Sequence, residues 1–286
     1  MTAASGRAPG RSQAGPRPLG GPSGVSAGRG THGQQPAFVL HHYDWSETSL
    51  ILDLFTRELG RVPVVAKGAK RPYSQLRAVL LPFQRISVSL GRPGKGQEAE
   101  AAEVFTLRTA EWAGGNTLPG GAALFSGYYL NELLMKLLAR QDPQPALFDI
   151  YAETLATLPS AEEGAAALRA FELRLLAELG LLPDLSVATL TQTPLDPTRR
   201  YAISPENGVI AAGSAEQAQL DGAVLIQLQA ALLHGSLAAL RHACMAENGG
   251  ALAALRPMLR GLLHYHLGAK PLRTRQLLLD VQALLE

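Results

Sequence analysis

A single cysteine, Cys244, in 286 residues has no partner for a disulfide within the chain. This excludes a disulfide-stapled scaffold and any zinc site built on cysteines, and it fits a reducing compartment. Long hydrophobic runs are also lacking. No uninterrupted apolar stretch approaches the ~18 residues that span a bilayer, and the N-terminus has no apolar core of a secretory signal. The expectation is a soluble cytoplasmic protein. Apolar residues are plentiful at 47%, and the length suits two ordinary domains or one large one, so cores can form without staples.

Acid is missing from particular places. Residues 1–35 carry four arginines and no Asp or Glu, and residues 57–95 carry nine basic residues against Glu58 alone. The sign reverses over 142–221, where twelve acids face Arg169, Arg174, Arg199 and Arg200; residues 256–275 then hold five cations and no acid. The net charge of +2 hides this segregation. Local potential steers association, so the basic blocks are either a face for a polyanion or ordinary solvated surface.

Residues 1–35 are Gly-, Pro- and Ser-rich with few bulky apolar side chains, too few to offset the entropy of ordering; a disordered Gly/Pro/Arg-rich tail is expected there. Its Gly and Pro content forbids the amphipathic helix of a transit peptide. From residue 37 to about 112 the apolar period is two, and five strands are predicted, at 37–43, 49–56, 61–67, 80–90 and 102–110. Gly60 suits the turn into the third, and Pro63, lacking an N–H, places that strand at an edge. Five short antiparallel strands in about 75 residues match a small Greek-key barrel of OB type.

Beyond Gly120 the period becomes helical. Leu130, Leu133, Leu134, Leu137 and Leu138 form a stripe ending at Asp142-Pro143, and a second helix covers 145–158. Ser160-Ala161-Glu162-Glu163 reads as a capping box before the face of Leu168, Phe171, Leu175 and Leu179. Residues 186–213 form an irregular excursion or a short hairpin, and helices resume over 219–247, 251–267 and 271–285. The fold class is α+β: a tail at 1–35, a five-stranded OB-fold barrel at 36–114 and a mostly α-helical domain at 115–286.

No catalytic constellation survives inspection. Gly91 to Gly96 reads GRPGKG, but no Ser or Thr follows Lys95 to hold magnesium, so a hairpin turn explains it better than a P-loop. His264 and His266 diverge on a helix, and His41 and His42, adjacent on a strand, face opposite sides. His242 and Cys244 fail as a nucleophile pair for the same reason, and Cys244 reads as a small core residue. Asp44, Glu47 and Asp53 are too scattered for a carboxylate cluster. Cations do coincide with aromatics: eight of the 16 aromatic residues fall in 36–112. Single-stranded nucleic acid is held by cationic grooves and by rings on which bases stack. Phe38, Phe83 and Phe105 are expected in the core. Tyr73, in a loop with Lys67, Lys70, Arg71 and Arg77, is the stacking candidate, and Trp45 can serve either purpose.

Ordered segments carry a resemblance: Phe38-Val39-Leu40-His41, Trp45-Ser46-Glu47-Thr48-Ser49-Leu50, Phe55-Thr56-Arg57, Gly60-Arg61-Val62 and Val65-Ala66-Lys67-Gly68-Ala69-Lys70-Arg71. Leu81-Pro82-Phe83, Tyr128-Tyr129-Leu130-Asn131-Glu132, Leu168-Arg169-Ala170-Phe171-Glu172 and Leu267-Gly268-Ala269-Lys270-Pro271-Leu272-Arg273-Thr274-Arg275 continue it. Over roughly residues 37–280 the chain resembles the bacterial RecO family. The resemblance implies a non-enzymatic recombination mediator of the RecF pathway, active in DNA repair and associated with the nucleoid. Such a protein binds single- and double-stranded DNA, anneals complementary strands and, with RecR, helps load RecA onto DNA coated by single-strand-binding protein (SSB), whose acidic tail it contacts. It also implies DNA binding by Arg57, Lys67, Lys70 and Arg71, to which Arg61, Tyr73 and Arg77 are added as candidates from the same stretch. Some members hold zinc through four cysteines in the excursion; residues 184–213 have none, so neither metal nor other cofactor is expected. The long N-terminal tail departs from the family pattern and is either an extension or a misassigned start.

Arg256, Arg260 and His264 recur at helical spacing, and Lys270, Arg273 and Arg275 follow. With Leu259 and Leu263 they are expected to form either a cation-rimmed apolar pocket for the SSB tail or a second DNA contact. If the barrel contacts about four or five phosphates, the log–log salt slope for single strands is roughly −3.

Overall fold

Alternating apolar positions build the first half of the molecule. The structure, a computed structural model, describes residues 1–2, 31–92, 104–115, 119–213, 218–246, 249–268, 272–274 and 276–277. Strands β1 (Thr31–Asp44), β2 (Leu50–Thr56), β3 (Gly60–Ala66), β4 (Arg85–Gly91) and β5 (Phe105–Trp112) close into a barrel in the order β1-β2-β3-β5-β4. Leu52, Leu54, Val62, Val64, Ile86, Val88 and Leu90 fill its interior, each two residues from the next on its strand, as the pleat requires. A short helix α1 (Leu76–Val79) between β3 and β4 lays Leu76 and Val79 against that interior. This is an OB-type barrel.

The structure moves several expected boundaries. The first strand starts at Thr31, so the tail limit drawn after residue 35 falls inside β1; residues 31–38 pair with β4, and backbone pairing needs no apolar side chain. Residues 3–30, the rest of the expected tail, lie outside the described residues. The fourth strand begins only at Arg85. Before it Phe83 adopts φ 66 and turns its ring to Tyr128, 4.9 Å between centroids. Nor does Pro63 mark an edge. The barrel closes, but β3 meets β5 only through Val64 and Val65, so the missing N–H at Pro63 is not called upon.

The second half contains α2 (Gly121–Leu137), α3 (Pro145–Thr157), α4 (Gly164–Glu178), α5 (Gly222–His234), α6 (Leu237–Cys244) and α7 (Gly250–Leu267). The pattern expected to run as one over 219–247 breaks at Gly235, at φ 73, and Ser236 caps α6 by accepting from the Ala239 amide. Ser160 accepts from the Glu163 amide at 3.1 Å, as the capping box predicts, but the Glu163 carboxylate turns to Arg241 instead of reaching back. The excursion is ordered into two small hairpins, β6 (Val187–Ala188) with β7 (Thr193–Pro194), and β8 (Arg200–Ser204) with β9 (Gly208–Ala211), while β10 (Leu220–Asp221) joins β8. Thr189 ties the hairpins together, its amide donating to the Val209 carbonyl and its hydroxyl accepting from the Val209 amide. Most of the helix expected over 271–285 lies outside the described residues. Among those described, no helix is long and apolar enough to cross a membrane.

The barrel and the helices share a core. Ala37 and Val39 face the barrel interior, while Phe38 and Leu40, on the opposite side of the pleat, enter the helical layer. The Phe38 ring lies 5.2 Å from Phe148 and 5.0 Å from Tyr151, and Phe55 joins them. Burying each such ring contributes about 2–3 kcal/mol. Asn131 of α2 donates to the Leu40 carbonyl at 2.9 Å and accepts from the Tyr151 hydroxyl, so the polar groups at this seam are satisfied.

Candidate nucleic-acid interface

The β1–β2 hairpin and the chain leaving β3 meet at one end of the barrel. The Lys70 amide donates to the Thr48 carbonyl at 3.0 Å, and the Lys70 ammonium reaches Asp44 at 3.2 Å and the Ser46 carbonyl at 3.1 Å. Trp45, 65% exposed, is thereby fixed beside the basic segment, and Tyr73 within that segment is 98% exposed. A buried ring needs no polar surroundings; a ring left in water next to cations is suited to stacking on a base.

The seven expected contact residues divide sharply. Lys67, Arg71 and Arg77 are exposed and, among the described residues, make no ion pair. Three others are occupied. Arg57, in the β2–β3 turn, grips Asp149 of α3 through two nitrogens, with 2.9 Å the shortest contact, and this hydrogen bonding raises its pKa. Arg61 forms a two-pronged pair with Asp53 at 2.9 and 2.7 Å and also donates to the Met135 and Leu138 carbonyls at the end of α2. Its side chain is largely buried, and its charge complements the negative end of the α2 dipole. Lys70 pins the hairpin as described. Among the described residues, Lys67, Arg71 and Arg77 are thus the exposed cations of this segment without an ion pair, on the same stretch of chain as Tyr73 and next to the hairpin that carries Trp45.

The second basic block is less unified. Arg256 and Arg260 are exposed on α7, but Leu259 and Leu263 are buried core residues at 0 and 2% exposure, so they do not line an open pocket. Their side of the helix packs inward because the apolar stripe at 255, 258, 259, 262 and 263 faces the core. Arg273 lies elsewhere, its amide donating to Glu132 of α2 at 2.9 Å. Lys270 and Arg275 lie outside the described residues.

Glu132 also accepts from the Thr274 amide and hydroxyl at 3.0 and 2.7 Å. Burial alone would raise its pKa, but these hydrogen bonds and Lys136 outweigh it, and the net shift is downward. Nearby, His41 and His42 do not behave as residues on opposite faces: their rings stack 6.0 Å apart at 17°, both exposed. Their backbone register is regular, His41 opposite Asp53 and His42 opposite Leu52, just past a shift between Val39 and His41. Among the described residues, no three His, Cys, Asp or Glu side chains gather to hold a metal.

The family model "Recombination protein O N terminal" matches residues 32–118, and "Recombination protein O C terminal" matches 120–276. The chain belongs to the RecO family. A protein of Polaromonas sp. (strain JS666 / ATCC BAA-500) named DNA repair protein RecO is 49% identical over 254 residues, 88% of this chain and 98% of its own length. One of the same name from Paracidovorax citrulli (strain AAC00-1) is 51% identical over 257 residues, 87% of this chain and 97% of its own. A role in DNA repair goes with RecO membership. The RecO match also begins at residue 32, next to the first residue of β1, and its two parts divide just before α2.

Proposed function

We propose that this RecO-family chain is a recombination mediator that holds DNA on the barrel and performs no bond chemistry. The observation that carries this reading is that Lys67, Arg71 and Arg77 are exposed and, among the described residues, without an ion pair, on the same segment as the exposed Tyr73. Lysine and arginine neutralise phosphates, and Tyr73 with Trp45 offers faces on which unpaired bases stack. Two complementary strands repel each other less when both lie against such a surface, and their local concentration rises; annealing follows from these two effects without a catalytic group. Single- and double-stranded DNA both satisfy the phosphate contacts, whereas stacking favours the single strand.

RecR and the acidic tail of SSB are the proposed protein partners, with RecA loading onto SSB-coated DNA as the outcome. The SSB tail meets positive charge at Arg256 and Arg260. The test is annealing of two fluorescently labelled complementary oligonucleotides. Wild type accelerates it, the Lys67→Glu, Arg71→Glu variant does not, and no strand is cut when magnesium is added. Acceleration undiminished in the variant, or magnesium-dependent cleavage, contradicts the proposal.

A further inference from the structure

The outer side of β1 carries a second cluster that the barrel-end cations do not use. His41, His42 and Tyr43 are successive exposed residues; the two imidazoles stack, and the Tyr43 ring stands edge-on to His41 at 4.5 Å. Arg273 is brought to the same place by α2. Asn131 holds the Leu40 carbonyl, immediately before His41, and the adjacent Glu132 holds the Arg273 amide. The acids nearby are engaged: Asp53, opposite His41 on β2, is paired with Arg61, Asp44 with Lys70, and Glu132 with the Thr274 donors and Lys136. The cluster therefore offers an exposed guanidinium and two imidazoles to an anion, beside an exposed tyrosine.

We propose that His41, His42, Tyr43 and Arg273 form a second contact for the phosphodiester backbone of DNA, one that tightens as His41 protonates. This rests on the reading of the barrel end as a DNA site, because β1 leads from the cluster directly to Trp45. At about 3.3 Å per residue, His41 and Trp45 are about 13 Å apart along the strand, close enough for one strand of DNA to touch both. An acidic peptide would find the cations but has no use for an aromatic track, so nucleic acid is the favoured occupant. Partial burial, then the charge of His42, holds the His41 pKa below the usual histidine range; Asp53 opposes this and Arg273 adds to it. A bound phosphate favours the protonated ring, so affinity rises as pH falls through that range.

The experiment is fluorescence anisotropy of a labelled oligothymidylate with the full chain at pH 8.0 and 5.5, at constant salt, with circular dichroism to verify folding. Wild type gains about fivefold in affinity on acidification. His41→Gln, His42→Gln loses that gain while keeping its affinity at pH 8.0, and Arg273→Glu lowers affinity at both pH values. Lys67→Glu, Arg71→Glu lowers affinity at both but keeps the gain, which separates this proposal from the reading it rests on. An unchanged gain in the histidine variant overturns the proposal. So does a polyglutamate peptide that displaces the oligonucleotide at equal charge concentration from wild type but not from the histidine variant.

Discussion

Arg61 shows how a cation that looks like a DNA contact can be committed to the fold. Removing it by Arg61→Ala leaves Asp53 buried without its partner and strips a donor from the last carbonyls of α2. Loss of one member of a buried pair costs about 3–5 kcal/mol, so urea denaturation of this variant is expected to show a loss of about 3 kcal/mol. A loss under about 1 kcal/mol would mean the pair is effectively exposed. Glu172 gives a second prediction at this scale. It is fully buried, accepts from the Tyr129 hydroxyl at 2.6 Å and pairs with Arg169 at 2.7 Å. Burial pushes its pKa up to about 7 against the pull of Arg169 and Tyr129. A carboxyl that binds its proton more tightly folded than unfolded loses stabilising effect as pH rises from the unfolded value toward about 7, and contributes no further change above it. The melting temperature of wild type relative to Glu172→Gln is therefore expected to fall between pH 5 and pH 7.5. A parallel pair of pH curves would contradict this.

At the scale of elements, the seam between β1 and α2 depends on Asn131. Asn131→Ala leaves the Leu40 carbonyl and the Tyr151 hydroxyl without this partner inside the core, a cost of about 2–4 kcal/mol by chemical denaturation. A neutral result would imply that water replaces the amide. Much of the barrel is legible in the sequence because Leu52, Leu54, Val62 and Val64 alternate on strands with defined turns. Helix α1 is not legible, since four residues carry no periodicity. The β1 extension to Thr31 is hidden because its partners are backbone groups of β4, which leave no mark on side-chain pattern. The candidate site was partly readable for a similar reason. A run of cations advertises charge, but Arg57 finds its acid 92 residues away in α3, and no local spacing reveals such a pair. The stack of His41 on His42 is likewise not what strict alternation along a strand leads one to expect.

Across the whole molecule, the positive charge available to a ligand is smaller than the basic block suggests. With Arg57, Arg61 and Lys70 engaged in ion pairs, Lys67, Arg71 and Arg77 remain on this basic segment, and its share of the salt slope for single strands falls from the roughly −3 expected from the sequence to about −2. Helical elements contribute by consuming the competing cations: Asp149 of α3 and the carbonyl end of α2 hold Arg57 and Arg61 against the helical layer. The most direct measurement is the anisotropy of a labelled single-stranded oligonucleotide across ionic strengths, for wild type and for Lys67→Glu, Arg71→Glu. Wild type should give a slope steeper than the variant's by about 1.4, the share of two phosphate contacts, and the variant's affinity should be lower by at least about tenfold. Equal slopes and equal affinities in the two proteins would show that DNA is not held by these cations.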